Sequence, residues 1–155
     1  MKTLKQKGIS ALEVMVVVAI LGMLALVVLP QFSKMRDNQV TKTAVGYVLS
    51  SLDKARSQAI SSLDSSPYGV RFESSQVIIF KGTSYVSGSS DNEILPITYP
   101  ASISNVTLSG ISGSSGELYF NKLTGSPSKT GTIVVSGTAT TKTITLSATG
   151  VASSN

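Results

Sequence analysis

A single carboxylate, Glu13, stands before a run, Val14 to Leu29, that holds no charged side chain, and three lysines, Lys2, Lys5 and Lys7, precede it. The stretch Ala11 to Leu29 is nineteen residues, which at the helical rise gives about 28 Å, close to the hydrocarbon thickness of a bilayer. A carboxylate inside such a segment is costly and is tolerated chiefly where a positive partner is supplied. No Lys, Arg or His lies between Gly8 and Lys34, so the partner comes from another molecule or from a new chain terminus.

The lysines predict a cytoplasmic N-terminus and a remainder sent across the membrane, because basic flanks are retained on the inner side. Three readings fit a basic start and an apolar middle. A secretory signal peptide has both, but this run closes on Val27-Val28-Leu29-Pro30 rather than on small residues that a signal peptidase reads. A plain single-pass anchor explains the lysines and the length but leaves Glu13 unexplained. A chain cut after Gly8 frees an amine on Ile9, four residues before Glu13 and on the same helical face. The two charges then neutralise each other, within one subunit or between neighbours in a stacked array.

Beyond the run, Pro30 lacks an N–H and its ring crowds the Leu26 carbonyl, which predicts a bend rather than an end. Val45, Val48, Leu49, Leu52, Ala55, Ala59, Ile60 and Leu63 recur at three-and-four spacing and predict an amphipathic helix that packs one stripe on a head. Lys42, Asp53, Lys54 and Arg56 fall on the other face, with Asp53 and Arg56 spaced for a weak ion pair. Asp64-Ser65-Ser66-Pro67 predicts the stop. Strand-like runs follow at Tyr68–Glu73, Gln76–Lys81, Ile94–Tyr99, Ser104–Leu108, Glu117–Asn121, Thr132–Ser136 and Thr143–Ser147, and Ser74-Ser75 predicts a hairpin between the first two. The expected fold class is α+β: a long N-terminal helix, half transmembrane and half amphipathic, packed on a small antiparallel sheet or sandwich.

Chemistry is scarce in this composition. The chain has 155 residues without cysteine or histidine, which removes disulfides, thiolate metal sites and the commonest general base. Its formal charge is +5, but setting aside Lys2, Lys5 and Lys7 leaves ten basic against eight acidic residues, too small a surplus to argue for nucleic acid. Adjacent Asp91, Asn92 and Glu93 do not alternate as the ligands of a calcium loop do. Gly110, Gly113 and Gly116 lie in a Ser-rich stretch with no phosphate-cradling pattern and read as chain turns. Lys122, Lys129 and Lys142 are scattered. No enzyme activity, cofactor or metal is expected.

Lys7-Gly8-Ile9-Ser10-Ala11-Leu12-Glu13 and the apolar run after it resemble the class III signal of type IV pilins and type II secretion pseudopilins. The resemblance implies that a prepilin peptidase cuts between Gly8 and Ile9 and methylates Ile9, that Glu13 neutralises a neighbour's N-terminal amine during assembly, and that Gly22 and Pro30 are places where the helix melts or kinks. The order of the long helix, Arg56-Ser57-Gln58-Ala59-Ile60, then Tyr68-Gly69-Val70-Arg71-Phe72 and a hairpin ending Phe80-Lys81-Gly82, is similar to the GspH/FimT minor pilins and pseudopilins, as is the closing Ile144 to Gly150. The chain then divides into a leader, 1–8, a transmembrane and assembly helix, 9–30, an amphipathic half, 31–64, and a β-rich head, 65–155. The resemblance implies a structural subunit of a type II secretion pseudopilus or a type IV pilus. It is expected in the bacterial inner membrane, single-pass with a periplasmic head, and in the filament after assembly. Expected partners are other pilin or pseudopilin subunits, the prepilin peptidase, the inner-membrane assembly platform and, before assembly, membrane lipid. The alternative is a DNA- or surface-binding minor pilin; nucleic acid is not expected, because no basic residue follows Lys142.

Overall fold

The computed structural model describes residues 10–155, without the side chains of Val27, Leu29, Pro30 and Ser33. The chain forms two compact units, Met1–Arg36 and Asp37–Asn155. Helix α1 runs Ala11–Ile60, and a single 3-10 turn follows at Leu63–Ser65. In the first unit the described apolar side chains of α1 from Leu12 to Leu26 are exposed. Among the described residues no helix is long and apolar enough to cross a membrane; the expected span, Ala11–Leu29, reaches over Val27 and Leu29, whose side chains lie outside the description.

The second unit packs the end of α1 with two antiparallel sheets. The strands are β1 (Tyr68–Glu73), β2 (Gln76–Lys81), β3 (Glu93–Pro96), β4 (Ser102–Leu108), β5 (Ile111–Gly113), β6 (Gly116–Phe120), β7 (Gly131–Ser136), β8 (Thr141–Leu146) and β9 (Ala152–Ser154). One sheet has the order β3-β2-β1-β6 and the other β5-β4-β7-β8-β9. Ala44, Val45, Val48, Leu52, Ala55 and Ala59 of α1 join one buried cluster with Val70, Phe72, Val77 and Phe120 of the first sheet and Ile103, Val106, Ile133 and Ile144 of the second. The three-and-four spacing on the helix and the alternation on the strands meet in this core.

Three expectations need correction. Helix α1 stops at Ile60, short of Asp64, because Ser62 takes a left-handed conformation and the Leu123 N–H, from a distant loop, bonds the Ala59 carbonyl at 2.9 Å. Ile60 and Leu63 consequently leave the core stripe and are 42% and 45% exposed. The third expected strand begins at Glu93 and ends at Pro96, where the proline lacks the N–H that pairing needs.

Strands β5 and β9 were not expected. Strand β5 returns from β4 through Ser109 and Gly110, both at positive φ, the two-residue turn that matches strand twist. The Ser74-Ser75 hairpin forms as expected, pairing Glu73 with Gln76. The two turn carbonyls also accept the Ile103 and Ile97 N–H groups at 3.0 and 2.8 Å, fixing the chain as it leaves β3.

Candidate assembly segment and head surface

Gly8 and Ile9, the expected cleavage and methylation positions, lie outside the described residues. Glu13 falls in the first turn of α1, its N–H bonded to the Ser10 carbonyl at 3.0 Å and its side chain exposed. A side chain in this position lies near the positive end of the backbone dipole. Among the described residues no cation pairs with it. Gly22 and Pro30 are both helical, and a Cβ at Gly22 would meet nothing. Among the described residues no packing therefore requires glycine at that position.

The polar network of the second unit lies on the outer face of the first sheet. Alternation points Tyr68, Val70 and Phe72 inward, which turns Arg71 and Glu73 outward. The Arg71 Nε donates to Glu73 at 2.9 Å and its Nη1 to Glu117, its register partner on β6, at 3.2 Å. Its guanidinium carbon also lies 4.8 Å from the centre of the Tyr85 ring. Arg71 first, and then the Gln76 amide, hold the Glu73 carboxyl below the usual carboxylate range, and Glu73 in turn raises the Arg71 pKa. A second network ties the 3-10 turn to the sheet. Lys81 and Tyr68, paired across β1 and β2, donate to Asp64 at 3.1 and 3.2 Å. The Lys81 hydrogen bond leads in lowering the Asp64 pKa, burial leads in raising that of the Tyr68 phenol, and Asp64 raises that of Lys81.

The candidate ligands and basic residues of the head do not converge. Glu93 bonds Lys54 at 2.7 Å, and the Asn92 amide donates to the Val86 carbonyl at 2.7 Å. Arg56 does not pair with Asp53; its Nε donates to the Gly125 carbonyl at 3.3 Å. Lys122 reaches the Ser65 carbonyl and Lys129 the Glu117 carbonyl, while Lys142 lies beside Asn38 and Thr140. A cleft beside the β4-β5 hairpin is lined by Arg71, Glu117, Lys129, Leu108 and Ile111, and there Arg71 bonds the Glu117 carboxylate while Lys129 bonds the Glu117 main-chain carbonyl. Such an arrangement ties neighbouring strands together.

Arg71, Tyr85 and Glu117 carry the outer-face network and were not singled out from sequence. The alternation of Tyr68–Glu73 could have placed Arg71 and Glu73 on one face, whereas Glu117 needed the β1-β6 register and Tyr85 sits in a loop without periodicity.

A long helix whose described apolar side chains are exposed in its first part, and a two-sheet unit closed on the helix's buried stripe, define an α+β structural class. The family model described as type II transport protein GspH matches residues 44–150. The chain belongs to that family, and so to the pilin and pseudopilin superfamily. Membership carries a structural, pseudopilin-like role in type II secretion. The match covers the buried stripe of α1, both sheets as far as β8 and the turn at Gly150. No curated protein and no solved structure matches the chain.

Proposed function

We propose that this chain is a minor pseudopilin or pilin subunit, held in the inner membrane by the first part of α1 with its N-terminus cytoplasmic and its head periplasmic until an assembly platform extracts it. A prepilin peptidase removes residues 1–8 between Gly8 and Ile9 and methylates Ile9. The new amine and Glu13 then pair between neighbouring subunits. Gly22 and Pro30 supply the points where the helix yields as subunits pack.

The observation that carries the reading is the exposed Glu13 in the first turn of a helix whose following side chains, Val14 to Leu26, are apolar or small and exposed. Lipid is as apolar as these side chains, so moving α1 from bilayer into a filament gains little from hydrophobicity alone. A charge pair between Glu13 and an amine supplies a directional term that lipid lacks. GspH family membership supports secretion as the setting.

Mass spectrometry of protein produced beside a prepilin peptidase tests the reading, with Ile9 expected as the first residue. A mature chain that still begins at Met1 overturns it.

A further inference from the structure

The outer face of the first sheet hides two large apolar side chains that the core does not hold. Val77 and Ile79 of β2 point inward, so alternation sends Ile78 and Phe80 outward, yet they are 0% and 1% exposed and stand apart from the buried cluster. Ile78 has Arg71 and Ile94 as its register partners, whereas part of the cover of Phe80 comes from the segment between β2 and β3. The ring of Tyr85 meets that of Phe80 edge to face, at 6.0 Å and 68°, and lies under the Arg71 guanidinium.

The hydrogen bonds of this segment are internal from Thr83 to Asn92. The Ser89 N–H donates to the Val86 carbonyl, the Asn92 N–H to the Ser89 carbonyl, the Asp91 N–H to the Ser89 hydroxyl and the Asn92 amide to the Val86 carbonyl. The flanks are fixed separately. The Gly82 N–H donates to the Pro67 carbonyl at 2.8 Å, and Glu93 is paired in β3 and bonded to Lys54. Arg71 is itself held by Glu73 and Glu117, so the ring rests on a fixed platform.

We propose that residues 83–92 form a strap that opens as a unit, latched to the sheet by the Tyr85 ring between Phe80 and Arg71, and that its opening bares Phe80 on the head surface. A segment with its own hydrogen bonds, one anchoring ring and, besides these, the attraction of exposed Asp91 to Lys81 loses few contacts when it lifts, which places it at the low-stability end of local opening. The ring's edge-to-face and cation–π contacts set the population of the open state.

Hydrogen exchange by mass spectrometry on the full chain in mild detergent tests the latch. Tyr85→Ala is expected to raise exchange in residues 82–92 about tenfold or more, and to increase binding of an apolar fluorescent dye, while exchange across β7 and β8 stays unchanged. Tyr85→Phe keeps the ring and is expected to match the parent protein. Unchanged exchange in Tyr85→Ala, an equal rise throughout the head, or release by Tyr85→Phe overturns the proposal. N-terminal processing reports on the subunit role separately, so neither failure mimics the other.

Discussion

The ring of Phe80 lies across Gly69, its register partner on β1. A Cβ at Gly69 would run into that ring and stand 2.6 Å from the Leu118 carbonyl on β6. The ring could turn aside, but the carbonyl belongs to a paired strand and cannot. Gly69→Ala is therefore expected to destabilise the head by about 1–3 kcal/mol, the usual range for overpacking. Urea unfolding of the full chain in detergent, followed by near-ultraviolet tyrosine signals, measures this. An alanine variant as stable as the parent would show that β6 can shift away.

The buried stripe of α1 makes a sharper contrast. Leu52 is fully buried at the centre of the cluster, whereas Ile60 shares the same spacing and is 42% exposed. Leu52→Ala should cost about 2–5 kcal/mol through lost contacts and a residual cavity. Ile60→Ala should stay within about 1 kcal/mol, because much of its side chain already meets water. Equal losses in the same unfolding assay would restore Ile60 to the core and contradict the helix end seen here.

Periodicity made the Val45 to Ala59 stripe and both arms of the first hairpin legible, since each presents its apolar side chains at one constant spacing. Ser104 breaks that spacing. The register shifts between Ile103 and Asn105, so inward positions run Ile103, Val106, Leu108 and the alternation that marks a strand is interrupted. That bulge concealed the start of β4. Strand β5 has only Ile111 as an apolar residue, and β9 has none larger than alanine, so their pairing rests on backbone hydrogen bonds rather than on side-chain pattern. The end of α1 was hidden for another reason: the Leu123 N–H that bonds Ala59 arrives from 64 positions away. On the candidate assembly segment, Glu13 drew notice because one charge in an apolar run contradicts its surroundings. Arg71 drew no such notice because a charge on a strand ordinarily faces water.

Acid should loosen the outer-face network. Arg71 holds the folded-state pKa of Glu73 below its unfolded value, so the stabilisation is complete above the ordinary carboxylate range and is lost as pH falls through the lowered value. The side chains of Arg71 and Glu73 are 29% and 30% exposed, which limits the contribution to a few tenths up to about 1 kcal/mol. Glu73→Gln should reduce stability at neutral pH by that amount and flatten the decline below about pH 4. A parent and variant with parallel pH profiles would show that Glu117 alone holds Arg71.

Assembly provides the test of Glu13. Glu13→Gln preserves size and removes the charge, and Glu13→Ala removes both, while neither makes the segment less apolar; membrane insertion should therefore be unchanged or improved. Entry into a filament should fall about tenfold or more, because the neighbour's amine would be left without its counter-charge in a low-dielectric core. Fractionation separates the two steps: the variants should accumulate in the inner membrane and be depleted from sheared filaments or from cross-linked subunit ladders. Reversal of the pair gives a stricter result than loss of either charge, since Glu13→Lys places two cations together and should block entry more completely than Glu13→Ala. If all three variants enter filaments as the parent does, the carboxylate has no part in subunit packing, and the exposed first turn of α1 must be explained some other way.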